Sequence, residues 1–197
     1  MDNITPDPAA FTHIRIIIGM VTGLSVARLL NGLARFVQHP KRERIYSVHM
    51  GWSLFLLLSV IHFWWFEFAL ARIGRWTFEE YLFVISYAAL FFFISAILYP
   101  DKMEEYAGFE SYFIARRTWI YCLLAGLFAA DMIDTALKGA QYFSALGPQY
   151  VVRQALLIGL SLLAIGISDR RFHLAFVAFA LLAQVWWIGS EFAVLRS

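Results

Sequence analysis

A single cysteine, Cys122, excludes an intrachain disulfide and a thiolate-held metal cluster. Alone in an apolar stretch, it reads as a small buried hydrophobe. Charge is scarce too. Asp, Glu, Lys and Arg make up 15% of the 197 residues against 61% hydrophobic, and the mean hydropathy is +0.66. A soluble domain of this length needs far more polar surface to cover its core. The weak alternating segments of about ten residues that build a membrane β-barrel are missing as well. The first twelve residues hold Asp2, Asp7, Pro6 and Pro8 but no Lys or Arg, so they lack the basic start of a cleavable signal peptide. They read as a short exposed extension ahead of an uncleaved first span. No GxSxG, HExxH or HxxxH spacing occurs, and with them go the short-motif signatures of hydrolases and metal sites. Nucleic-acid binding is excluded because the aromatics lie inside apolar blocks instead of on a basic surface.

What remains is a set of six apolar blocks, each near the ~20 residues that cross the hydrocarbon core as a helix. They run over about 11–36, 46–71, 80–99, 118–137, 150–168 and 171–195. The expected fold is all-α: a polytopic membrane helical bundle of six transmembrane helices in one integral domain, 1–197. Gln38-His39-Pro40, Tyr99-Pro100, Lys138-Gly139 and Gly147-Pro148 mark breaks between blocks.

Loop charge orients such a bundle. Nine basic residues fall between spans 1 and 2, 3 and 4, or 5 and 6: Arg35, Lys41, Arg42, Arg44, Lys102, Arg116, Arg117, Arg170 and Arg171. Six fall on the other side even when Arg15 and Arg153 at span edges are counted with Arg72, Arg75, Lys138 and Arg196. The expectation is a bacterial inner (plasma) membrane protein. Its termini are extracytoplasmic and its loops 37–45, 100–117 and 169–171 cytoplasmic.

Within the second of those loops, Asp101 and Glu104 have the spacing of a helix-start capping pair, and Met103, Tyr106, Phe109 and Phe113 recur at near-helical intervals. These features predict a short amphipathic helix over 101–117 at the cytoplasmic face. Span 1 carries a small-residue stripe, Gly19, Gly23 and Ala27, containing a GxxxG. Such a stripe allows close helix packing, with a second copy or a membrane partner as its expected counterpart. Trp64-Trp65 and Trp186-Trp187 are each followed by Glu-Phe-Ala at different spacings. A duplicated helix pair and two independent aromatic belts both fit that echo.

Polar groups inside spans carry the functional argument, since a charge at a helix centre costs on the order of 2.5–3.5 kcal/mol on insertion scales. The inner half of span 1 holds Arg28, suited to an anionic group or a lipid phosphate from the cytoplasmic side, or else to capping a neighbouring helix or snorkelling to the interface. The outer half brings His62 and Glu67 from span 2, Asp131 and Asp134 from span 4, Arg153 and Gln154 from span 5, and Gln184 and Glu191 from span 6. The leading candidates for binding a ligand or ion are His62, Asp131, Asp134, Gln184 and Arg28. Glu67, Arg153 and Glu191 come second, read mainly as ion pairs near the outer interface. His49 and His62 are thirteen residues apart, hence about 220° apart around a 3.6-residue helix, which disfavours stacked haems. No cofactor is implied and no catalytic constellation is visible. The leading functional expectation is transport or sensing of a small solute, cation or proton through the outer pocket. A non-catalytic membrane subunit is the alternative, and a lipid- or quinone-modifying enzyme comes last.

Overall fold

The computed structural model describes residues 8–39, 45–74 and 76–194. The Lys41-Arg42-Glu43-Arg44 cluster, Arg75, Arg196 and the N-terminal extension through Asp7 lie outside the described residues. The chain forms α1 (Pro8–Gln38), α2 (Ser47–Phe66) with a 3-10 extension (Glu67–Arg72), α3 (Phe78–Leu98), α4 (Phe109–Leu137), short α5 (Ala140–Ala145), α6 (Gly147–Gly166) and α7 (Arg170–Val194). Among the described residues six helices are long and apolar enough to cross a membrane, and no strand occurs. The protein is thus an all-helical bundle with the composition of a membrane protein. Its exposed side chains fit that solvent: Met20, Leu24, Leu182 and Phe93 are all exposed, as lipid-facing residues are.

Local chemistry fixes the helix ends. Thr77 caps α3 by accepting from the Glu80 amide at 3.2 Å, while the Glu80 carboxylate accepts from the Thr77 amide at 2.9 Å. This reciprocal box satisfies two donors that the first turn of a helix leaves free. Gly108, with φ 147°, starts α4, and Gly139, with φ 112°, ends its last turn before α5. Both conformations strain any residue with a Cβ.

Gly108 also corrects the expected 101–117 helix. Residues 101–108 make turns, and α4 begins at Phe109 and continues without interruption to Leu137. Of the periodic residues behind the expectation, Met103 and Tyr106 lie in the turns, while Phe109 and Phe113 belong with Tyr112 to the buried side of the longer helix. Arg116-Arg117 does not end a helix. Arg117 lies within α4 and donates from Nε to the Ile165 carbonyl at the end of α6, at 3.1 Å.

Packing is strongest between α4 and α6, α1 and α3, and α3 and α4, followed by α2 and α7. Helix α2 packs along α1, α3, α4 and α7, whereas α1 packs along α2, its 3-10 extension and α3 and meets α4 through the Phe36 and Phe109 rings. Helix α2 thus lies at the centre of the bundle and α1 toward its edge. The small-residue stripe splits accordingly. A Cβ on Gly19 would stand 2.7 Å from the Trp64 ring, while one on Gly23 would meet nothing within 4 Å. Ala27 is likewise exposed. Gly32, one helical turn beyond Arg28, is the tightest approach: its Cβ would fall 2.3 Å from the Tyr99 ring. Gly32→Ala is expected to destabilise the protein by about 1–3 kcal/mol through overpacking. Gly23→Ala should change stability by less than about 0.5 kcal/mol. Thermal unfolding of the two purified variants checks the contrast.

The core is aromatic. Trp52 meets Phe55, Tyr121 and Phe176 edge-on, with ring centroids 5.4, 5.8 and 5.0 Å apart. Phe63 packs on Tyr87 and Phe91. Cys122, expected inside, is exposed on α4 and so faces the position of lipid.

Candidate functional site

Toward the end of the bundle where Lys138 lies, every spanning helix except α1 contributes polar side chains to one cavity. It is lined by His62, Glu67, Tyr87, Asp131, Asp134, Arg153, Gln154 and Gln184, among apolar neighbours that include Phe63, Phe91 and Trp187. Its volume is about 40 Å³, room for a few water molecules. Asp131, Arg153 and Gln184 each lie six residues inside the end of their described spans, about 9 Å at 1.5 Å per residue. The polar groups therefore sit well inside the bundle.

Two sub-networks line the cavity. In the first, the Lys138 ammonium donates to Glu67 Oε1 at 2.9 Å and to Asp134 Oδ2 at 2.5 Å. All three side chains are at most 3% exposed. Lys138 follows the last residue of α4 and folds back one turn onto Asp134, while Glu67 opens the 3-10 extension of α2. Burial pulls the Lys138 pKa down, but the charges of Glu67 and Asp134 outweigh it and hold it above the ordinary lysine value. The ammonium clasps α4 to the extension of α2.

In the second, Asp131 accepts from Tyr87 at 3.0 Å on Oδ1, and from Tyr150 at 2.7 Å and Gln154 on Oδ2. Gln154 in turn accepts from Arg153 through Oε1 at 3.4 Å, and Arg153 donates to Gln184 Oε1. The guanidinium lies 5.7 Å from the centre of the Trp187 ring, within cation–π range. Tyr150 also bonds the Thr135 hydroxyl at 2.8 Å. Leu146, Tyr150 and Trp187 pack with Met132, Tyr142 and Phe143 over this end.

Three carboxylates thus face two cations. Several buried atoms around the cavity have no protein partner: Glu67 Oε2, Asp134 Oδ1, His62 Nε2, Ser59 Oγ and Arg153 Nε. Buried polar atoms are ordinarily satisfied, so this group of orphans marks the cavity as a place that can receive a small polar guest.

Of the expected outer-half residues, His62, Asp131, Asp134 and Gln184 converge here. Glu67 and Arg153 do too, and both are buried instead of lying at a wet interface. The Glu191 side chain lies outside the described residues. Arg28 does not belong to this cavity. It sits toward the opposite end, where its Nη2 donates to the Tyr99 carbonyl and to Asp101, both at 2.9 Å. Lys138 was overlooked by sequence reasoning as a loop residue, although its i,i+4 spacing from Asp134 signals the pair. Gln154, an expected outer-half group, also reaches the cavity, whereas Tyr87 and Tyr150 carried no comparable signal. His49 occupies a separate aromatic nest of Phe36, Tyr99 and Phe109, its Nε2 2.7 Å from the Leu98 carbonyl. Among the described residues no group of three His, Cys, Asp or Glu side chains is placed to hold a metal ion. Compared with family models, curated proteins and solved structures, the chain matches none at a significant level.

Proposed function

We propose that this membrane protein binds a proton or a small monovalent cation in the Asp131 cavity and moves or senses it. One observation carries the reading: three carboxylates stand against two cations around one small cavity, with carboxylate oxygens of Glu67 and Asp134 lacking protein partners. The surplus negative charge favours a cationic guest, because an unpaired charge in a low-dielectric interior is costly. At about 40 Å³, the space is far below the ~300 Å³ or more of ordinary small-molecule sites, so a larger solute is disfavoured. Asp131, His62, Asp134 and Gln184 are the binding residues in this reading, with Glu67 and Arg153 setting the local charge. The loop-charge asymmetry supports a bacterial inner membrane with the cavity toward the extracytoplasmic side and both termini outside. One integral domain, which pairs with a second copy or partner through Gly23 and Ala27, belongs to the same reading.

The test is flux into proteoliposomes containing a pH-sensitive dye, run under proton, sodium and potassium gradients. Asp131→Asn keeps the shape but removes the charge, and is expected to cut flux about tenfold or more, the worth of a charge-assisted bond. If the parent protein gives neither flux nor a cation- or pH-dependent change in tryptophan fluorescence, the reading fails.

The subunit alternative also has an observation behind it, because Asp131 is already held by three donors. On that reading Asp131→Asn lowers stability and leaves no transport phenotype to lose.

A further inference from the structure

The orphaned oxygens at the cavity are not scattered. Glu67 and Asp134 each give one carboxylate oxygen to the Lys138 ammonium, at 2.9 and 2.5 Å. Each keeps its second oxygen, Oε2 of Glu67 and Oδ1 of Asp134, buried and without a protein partner. Sharing one ammonium makes the two carboxylates close neighbours, although Glu67 comes from the extension of α2 and Asp134 from the last turn of α4. Both residues are at most 2% exposed. Two buried acceptors thus lack a donor, on either side of a single cation.

A metal cation is a poor candidate to fill that need. Among the described residues no group of three His, Cys, Asp or Glu side chains is placed to hold one. The ammonium already occupies the side that the two carboxylates share, and it would repel a second cation bound to the same acids. Another orphan lining the cavity, the Arg153 Nε–H, is a donor, which a bare cation cannot satisfy. A proton meets none of these objections. On Glu67 Oε2 or Asp134 Oδ1 it turns an anionic acceptor into an O–H donor. The other carboxylate, a cavity water, Ser59 Oγ or His62 Nε2 can then accept, and the last two also lack partners. Neighbouring carboxylates share a proton in this way because like charges disfavour each other.

Among the described residues, the other charged and titratable groups around the pair are Asp131 on α4, His62 on α2, Tyr87 on α3, and Tyr150 and Arg153 on α6. Helix α7 adds the uncharged Gln184. Helix α1 brings Arg15, which lies over the Phe68 ring at 3.7 Å, and α5 brings Tyr142, which meets the Phe66 ring.

We propose that the guest of this cavity is a single proton shared by Glu67 and Asp134 beside Lys138, and that alkali-metal cations do not enter. The proposal rests on the reading of the cavity given above and names its ligand. A hydronium in the cavity gives its proton to a carboxylate oxygen and stays behind as water. Asp131, already held by three donors, draws the proton in by its charge.

Infrared difference spectroscopy of the full chain in lipid vesicles, titrated with acid in H2O and in D2O, tests it. The parent protein is expected to show the carbonyl stretch of a buried carboxylic acid, shifted by deuteration. Parent-minus-variant spectra should show the same band lost from Glu67→Gln and from Asp134→Asn. Each variant leaves one carboxylate against one ammonium, a pair that needs no proton. Proton flux should fall about tenfold in both, as loss of one charge-assisted contact implies. Glutamine and asparagine imitate the protonated side chains, and unchanged far-UV circular dichroism shows that the variants are folded. A band lost from one variant alone overturns the sharing, and proton flux untouched by both substitutions overturns the site. Flux or tryptophan fluorescence that follows sodium or potassium at constant pH overturns the proposal while leaving a cation-binding cavity in place. No response to protons, sodium or potassium sinks both the proposal and the reading beneath it.

Discussion

Lys138→Met is expected to lower the unfolding free energy by about 3–5 kcal/mol, the usual cost of removing one partner from a buried ion pair. The size follows from geometry. The ammonium is 1% exposed and sits between two carboxylates that are 1% and 3% exposed. Methionine fills much of the lysine volume, so the lost packing is small and the loss is almost wholly electrostatic. It leaves Glu67 and Asp134 facing each other with no cation between them. Adding Glu67→Gln and Asp134→Asn to Lys138→Met should recover most of the stability, since no uncompensated charge is then left buried. Lys102, which is exposed on the α3–α4 connection, gives the control, with Lys102→Met changing stability by less than about 0.5 kcal/mol. Reversible unfolding in mixed micelles, read by circular dichroism, measures all three. A Lys138→Met protein as stable as the parent would show that the clasp holds nothing together.

Trp52→Ala is expected to cost a comparable ~3–5 kcal/mol for a different physical reason. Its ring is 1% exposed and is enclosed by Phe55, Tyr121 and Phe176. In lipid the surroundings are as apolar as the core, so burial from water drives little of the packing. What the truncation removes is dispersion contact with three rings, and the void left behind has no water to fill it. Trp119→Ala makes the comparison, because Trp119 on α4 is 63% exposed. Its removal should cost less than about 1 kcal/mol, the range of surface changes away from the core. Equal losses at the two positions would contradict an interior held by ring-on-ring contact.

The spans were legible because each is a continuous apolar block, and the expected ends fall close to the observed ones for α1, α2, α3 and α6. The start of α4 was not. Arg116-Arg117 looked like a membrane boundary, but a helix can project beyond the hydrocarbon, and only the backbone turn at Gly108 ends this one. In the site, His62, Asp131, Asp134 and Gln184 stood out because polar groups are rare in such blocks. Lys138 did not, because a lysine before a glycine reads as a helix stop, and nothing in the sequence says that the side chain folds inward. Glu67 and Arg153 looked interfacial by their distance from the span ends. Depth along a helix is written in the sequence, but the direction a side chain faces depends on its neighbours. The position of α1 at the edge of the bundle was hidden for the same reason, since its small-residue stripe names no partner.

The clasp between Glu67 and Lys138 also has a schedule. The two residues are separated by 71 positions, so at ~5–20 residues per second a ribosome makes the lysine about 4–14 s after the glutamate. During that interval the end of α2 carries an acid whose cation has not yet been synthesised. Helix α2 can therefore make this contact only once the end of α4 exists, and a chain stopped before Lys138 ends with Glu67 lacking the cation it meets in the finished bundle.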